Sequence, residues 1–134
     1  MTKRIKKVLI IDDDEISNFI TSSILEQSNK VDQIEVLMSA DEGMNFLSKC
    51  IKSNQDMPDL ILLDIKMPVK SGWDFLEDFK ILDKEKTKNI KITMLSSSVY
   101  PDDVHKAQAY SEVSGYLSKP ITTEKVDEII EKYL

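Results

Sequence analysis

Three carboxylate positions in this chain stand where they could do chemistry together. Val8-Leu9-Ile10-Ile11 runs into Asp12-Asp13-Asp14, and Leu60-Ile61-Leu62-Leu63 runs into Asp64. A short aliphatic run that ends abruptly in acid reads as a buried parallel strand delivering charge to the edge of a sheet. Two such strands side by side bring their carboxylates to one spot. Like charges at that range repel, so the cluster calls for a cation. Oxygen donors alone suit a hard divalent ion, and Mg²⁺ typically sits between carboxylates and a phosphoryl group.

The elements that must position these acids are legible in the pattern. Ile16, Phe19, Ile20 and Ile24 fall at helical spacing after the first strand. A second strand is expected over Ile34 to Met38 and a second helix over about Asp41 to Lys52, marked by Met44, Phe46, Leu47 and Ile51. Pro58 precedes the strand Leu60 to Leu63. Pro68 and Gly72 bound a loop, after which Trp73, Phe75, Leu76 and Phe79 start a third helix. Ile90 to Leu95 reads as the fourth strand, Val104 to Gln108 as a short fourth helix, and Gly115 to Leu117 as a short fifth strand. A last helix carries Val126, Ile129, Ile130 and Tyr133, with Thr122 as its N-cap. The polar stretch 83–89 reads as the end of the third helix plus a surface loop.

Five strand–helix units imply a parallel sheet with helices on both faces. The first, third and fourth strands are the most apolar and belong in the centre. The second carries Glu35 and the fifth is short, so both suit edges. That gives a doubly wound five-stranded sheet of order 2-1-3-4-5, flavodoxin-like, whose switch point lies between the first and third strands. Asp12, Asp13 and Asp64 all lie there.

With 134 residues, 41% hydrophobic and 31% charged, the chain is expected to form a single domain over 1–134 with one core. There are no internal repeats and no flexible linker. A net charge of −6 disfavours nucleic acid. The basic residues Lys3, Arg4, Lys6 and Lys7 read as a solvated strand entrance rather than a binding patch. The run Val8 to Ile11 is too short for a signal sequence, and no stretch approaches a membrane span. Cys50 is the one cysteine, so no intrachain disulfide forms and a reducing, cytoplasmic setting is expected. Among Phe46, Leu47 and Ile51 it reads as packing rather than reactive.

Further residues complete a pattern. Asp64 is followed by Met67-Pro68 and Gly72, Ser96 ends the fourth strand, Tyr116 lies on the fifth, and Lys119-Pro120 follows it. Taken in order, these and the acidic pair Asp12 and Asp13 resemble the chemotaxis-type receiver domains of two-component response regulators, over essentially the whole chain. The resemblance implies a phosphorylation switch, stand-alone and without an output domain. Asp64 would be the phosphoacceptor, attacking a phosphohistidine donor to give an acyl phosphate. Mg²⁺ would be held by Asp13, Asp64 and the Lys66 backbone carbonyl, with Asp12 through water. Ser96 and Lys119 would bind the phosphoryl group, and backbone N–H groups after Asp64 and Ser96 could add donors. Ser96 and Tyr116 would form the switch. Lys119-Pro120 would be joined by a cis peptide. The donor would be a sensor histidine kinase or a histidine phosphotransfer protein. The output would be a separate protein, or a second copy docking through the fourth helix, fifth strand and last helix.

Several readings stay open at this stage. Ser96 is favoured over Ser97 or Ser98 because Met94-Leu95 runs to the strand end. Serine stands where threonine is commoner, keeping the hydroxyl but losing the methyl that stiffens the rotamer. Asp14 reads as a helix cap or a solvated neighbour rather than a ligand. Lys66 can reach the phosphoryl group or point to solvent. Tyr116 and Trp73 can simply pack. His105, on the fourth helix, is placed away from the site. Two other functions compete. Asp12-x-Asp14 also resembles the nucleophile motif of haloacid dehalogenase-type phosphatases, which would leave Asp64 without a role. An unphosphorylated pseudo-receiver adaptor is the third reading.

Overall fold

The computed structural model describes residues 4–97 and 100–133. Lys3, Ser98 and the side chain of Tyr133 lie outside the described residues. In chain order the elements are β1 (Ile5–Ile11), α1 (Glu15–Ser28), β2 (Val31–Leu37), α2 (Ala40–Lys52), β3 (Leu60–Asp64), α3 (Gly72–Phe79), α4 (Lys84–Thr87), β4 (Lys91–Ser96), α5 (Pro101–Gln108), β5 (Val113–Ser118) and α6 (Thr123–Tyr133). The strands form one sheet in the order β2-β1-β3-β4-β5, and every neighbouring pair is parallel.

The central strands are apolar at consecutive positions because both faces of the sheet are covered. Leu9, Ile11, Ile61, Leu63, Ile92 and Met94 face one core, with Leu47 of α2 and Phe75, Leu76 and Phe79 of α3. Val8, Ile10, Leu60, Leu62 and Leu95 face the other, with Leu25 of α1 and Val126, Ile129 and Ile130 of α6. The alternation of pleat direction assigns each residue of an unbroken apolar run to one core or the other.

The register places the acids. Ile11 lies opposite Leu63 across β1 and β3, so Asp12 and Asp64 follow directly at the same sheet edge. Both flanking helices begin with a cap. Asp14 accepts the N–H groups of Ile16 and Ser17 at the start of α1, and Ser71 with Asp74 closes a capping box on α3.

Two expectations are corrected. First, β2 starts at Val31 rather than Ile34: Ile5 pairs with Val31, and Asp32, Gln33 and Glu35 are tolerated because an edge strand has solvent beside it. Similarly, β5 extends from Val113 to Ser118 along β4. Second, the stretch 83–89 is not a helix end plus loop. It contains the separate turn α4, capped by Asp83, whose side chain accepts the Glu85 N–H, and anchored by the buried Thr87. The helix α1 forms as its spacing predicts, and it is turned so that Asn18, Thr21 and Leu25 are buried while Ile16 and Phe19 are each 73% exposed.

Candidate functional site

Asp12, Asp13 and Asp64 each offer a carboxylate oxygen, and these oxygens lie within 4.8 Å of one another. Asp12 and Asp64 are nearly closed off, at 1% and 6% exposure, while Asp13 is open to solvent. The Lys119 ammonium reaches the same point. It lies 2.6 Å from Asp12 Oδ2 and 3.4 Å from Asp64 Oδ1. A cis peptide joins Lys119 to Pro120, and the Lys119 N–H donates to the Ser96 carbonyl at 2.7 Å. The ends of β4 and β5 are thereby tied together beside the acids.

The electrostatics follow from this crowding. Burial, and then the charge of Asp12, push Asp64 up to about 6 from the ordinary 3.8, against the opposing pull of Lys119. For Lys119, burial works downward, but its hydrogen bond to Asp12 and the charges of Asp12 and Asp64 outweigh it and hold the ammonium above its usual range. One ammonium thus compensates part of the charge of three carboxylates. The donor set is all oxygen, carries an excess of negative charge and opens to solvent through Asp13, so it fits a small hard divalent cation.

Residues 8–131 match the family described as Response regulator receiver domain. The chain belongs to this family. Among solved structures it is similar to a two-component response regulator from Cytophaga hutchinsonii, at 32% identity over 98% of both chains with a TM-score of 0.90. It is also similar to the chemotaxis protein CheY4 of Vibrio cholerae, at 25% identity over 96% of this chain and 98% of that one, with a TM-score of 0.76. Among curated relatives, the hybrid signal transduction histidine kinase L of Dictyostelium discoideum is 34% identical over 98% of this chain. VraR of Staphylococcus saprophyticus is 30% identical over 94% of it. The chain spans 7% of the former and 55% of the latter.

In this receiver domain the other predicted residues are distributed as follows. Ser96 is the last residue of β4 and is buried, whereas Ser97 is exposed. Tyr116, opposite Met94 in the β4–β5 register, is half-buried against the first core. Among the described residues its hydroxyl has no hydrogen-bond partner. Lys66 is exposed, with its ammonium 5.3 Å from the centre of the Tyr100 ring. Trp73 packs against the core, stacked on Tyr110 with the ring centres 5.9 Å apart. His105 is exposed on α5, outside the converging set. The carboxylate of Asp14, the second acid of the phosphatase motif, is engaged in the α1 cap.

Two residues that hold the site were not picked out from the sequence. Asn18 donates from Nδ2 to the Asp12 carbonyl at 2.8 Å, pinning the β1 end from inside α1. Its signal was present: Asn18, Thr21 and Leu25 form a second face at helical spacing, overshadowed by the more apolar one. Lys125 donates from Nζ to the carbonyls of Ser118 at 2.7 Å and Pro120 at 3.1 Å, fastening the segment that carries Lys119. A lysine in a polar helix turn gives no such signal, because its partners are backbone carbonyls brought near only by the fold.

Proposed function

We propose that this receiver domain accepts a phosphoryl group on Asp64 from a phosphohistidine of a partner protein, and so switches a face that a second partner reads. The observation that carries this reading is the convergence of Asp64 with Asp12, Asp13 and Lys119 at one sheet edge. A carboxylate titrating at about 6 is ionised at neutral pH, as a nucleophile must be. An Asp64 oxygen forms a bond to phosphorus as the phosphorus–nitrogen bond of the donor breaks, and the neutral imidazole leaves after taking up a proton. Lys119 balances the added charge, and the Ser96 hydroxyl donates to a phosphoryl oxygen. Asp12, Asp13, Asp64 and the Lys66 backbone carbonyl would hold Mg²⁺. When bound, that ion neutralises phosphoryl oxygens. The protein acts as an acceptor and switch rather than as an enzyme that turns over a substrate.

A protein donor is supported by what borders the site. Ile16 and Ile20 of α1, with Pro120 and Ile121, line a hollow of about 310 Å³ that reaches Lys119, and the exposed Phe19 continues the apolar surface. A small phosphodonor has no use for such a surface, whereas a helical histidine-bearing protein must cover one to present its phosphoryl group. The donor is a sensor histidine kinase or a histidine phosphotransfer protein, met in the cytoplasm. No helix among the described residues is long and apolar enough to cross a membrane.

On the output side, Ser96 senses the phosphoryl group and Tyr116 follows it. The Tyr116 ring borders a groove of about 190 Å³ with Val104 and Ala107 of α5, which gives it room to change position. The face of α5, β5 and α6 then changes shape for a separate output protein or a second copy.

Intact mass after incubation with acetyl phosphate and Mg²⁺ tests the reading. One phosphoryl group is expected on the wild type, and none with chelator or in Asp64→Asn. Label that survives in Asp64→Asn would overturn the assignment. A wild type that takes no label from acetyl phosphate or from any cognate kinase would favour the pseudo-receiver reading.

A further inference from the structure

The loop that carries the chain from Asp64 into α3 is closed and strained. Val69 has φ of 69°, the left-handed region that a β-branched residue almost never adopts. The N–H of Lys70 donates to the carbonyl of Pro68 at 2.8 Å. A three-residue turn with positive φ at its centre is rare and strained. Nothing packs on the Val69 side chain to offset this, for it is 96% exposed. Such strain persists only where the surroundings over-determine it.

The pins are visible. The Gly72 N–H donates to the Ile65 carbonyl at 2.8 Å. The Gly72 backbone is pressed so closely on the acceptor residue that a Cβ there would lie 2.5 Å from the Asp64 carbonyl oxygen. Those contacts hold the far end of the loop. The turn itself is held by Lys70, whose ammonium lies 3.0 Å from Asp41 Oδ1 on α2 and 3.4 Å from Asp78 Oδ2 on α3. Lys70 is the next residue after the strained one, and it ties that turn to two helices at once.

We propose that Lys70 is a positioning residue: its bridge to Asp41 and Asp78 holds the strained turn after Asp64, and with it the Lys66 carbonyl, in the conformation that takes a divalent cation. This rests on the reading of Asp12, Asp13 and Asp64 as a cation site. Released from the bridge, the turn relaxes away from positive φ and the binding-competent fraction falls, which weakens apparent affinity by the same factor.

The sign of the effect separates this role from plain electrostatics. Lys70 is a cation near a cation site, so charge alone would make Lys70→Ala bind Mg²⁺ more tightly. Positioning makes it bind more weakly. Calorimetric titration with Mg²⁺ alone, at low ionic strength and without phosphodonor, reads the difference. Lys70→Ala should bind about fivefold more weakly, the shift expected from losing a pin of exposed ion-pair strength. Lys70→Arg should restore binding. Val69→Gly added to Lys70→Ala should recover much of it, because glycine, with no Cβ, takes positive φ without steric cost. In the metal-free protein, amide exchange at Lys70 and Gly72 should quicken in Lys70→Ala. Equal or tighter Mg²⁺ binding by Lys70→Ala would overturn the role of Lys70 while leaving the cation site standing. A wild type that takes up no Mg²⁺ would overturn both.

Discussion

Helices α1 and α2 follow neighbouring strands of the same sheet, both open on a polar cap, and both show apolar residues at helical spacing. They place those residues oppositely. In α2 the inward face is Ala40, Gly43, Leu47 and Cys50. That helix packs so near the sheet that a Cβ on Gly43 would lie 2.5 Å from Ile11 Cδ1. In α1 the inward face contains Asn18 and Thr21, and the larger apolar side chains Ile16 and Phe19 look outward. Periodicity therefore marks a helix without saying which face turns in. At α1 the end of β1 makes that decision: the Asp14 cap and the bond from Asn18 to the Asp12 carbonyl fix the helix so that the site is braced and the apolar stripe is left over. α2 is built for the fold, and α1 for the site and for what meets it.

The largest expected effect tests the fold side. Leu47 is fully buried on α2, and Leu47→Ala should cost about 2–5 kcal/mol in urea unfolding, through lost transfer energy and the cavity left behind. Phe19→Ala on α1 should change stability by no more than about 0.5 kcal/mol, as exposed substitutions do. Comparable losses in the two variants would mean that the outer face of α1 is packed after all, and the contrast between the helices would collapse.

The next effect lies between the two helices, at the acids. Folding raises the pKa of Asp64 to about 6, so the folded state binds the proton more tightly than the unfolded chain does. Ionised Asp64 is therefore a liability above pH 6. The penalty fades as pH falls through the window from about 6 to the unfolded value near 3.8. Asp64→Asn carries no such charge. At pH 7.5 without metal it should be more stable than wild type by about 2 kcal/mol, discounted for water at the open mouth of the site. Unfolding curves from pH 7.5 down to 4 should show the gap closing. A gap that widened toward acid would mean that Lys119 outweighs burial and the neighbouring charge of Asp12.

How much of this was legible in the sequence depends on whether a residue's role is local. The strand order followed from apolar runs and edge polarity, because burial on both faces leaves a compositional trace. The meeting of Asp12, Asp13 and Asp64 followed because strand ends at a switch point are fixed by topology. The facing of α1, the turn α4, the Lys125 clasp and the Lys70 bridge did not follow. The Lys70 bridge depends on a distant partner, Asp41, 29 positions away, and neither spacing nor composition encodes such a pair. The other three rest on short-range polar bonds, from Asn18 to the Asp12 carbonyl, from the Glu85 N–H to Asp83 and from Lys125 to the Ser118 and Pro120 carbonyls, which leave no trace in apolar periodicity.

The smallest free-energy effect probes the site side of the comparison. If Ile16, Phe19 and Ile20 are exposed because a donor protein covers them, their truncation should matter only when the donor is a protein. Phe19 is an aromatic at the centre of that row and the residue with most surface to lose, and a few such aromatics carry most of the energy of an interface. Phe19→Ala should slow phosphotransfer from a phosphorylated cognate kinase or phosphotransfer protein about tenfold, equivalent to about 1.4 kcal/mol in encounter-complex or transition-state binding. Labelling by acetyl phosphate should stay within about twofold of wild type, because Asp12, Asp13, Asp64 and Lys119 are untouched. The two rates read from the same preparation separate recognition from chemistry. A parallel loss with both donors would show that Phe19 supports the geometry of the acids from α1, and the division between the helix built for the fold and the helix left open for a partner would be wrong. No loss with either donor would leave the apolar face of α1 without a role in phosphotransfer, and attention would shift to the acceptor loop around Val69 as the contact that a protein donor makes.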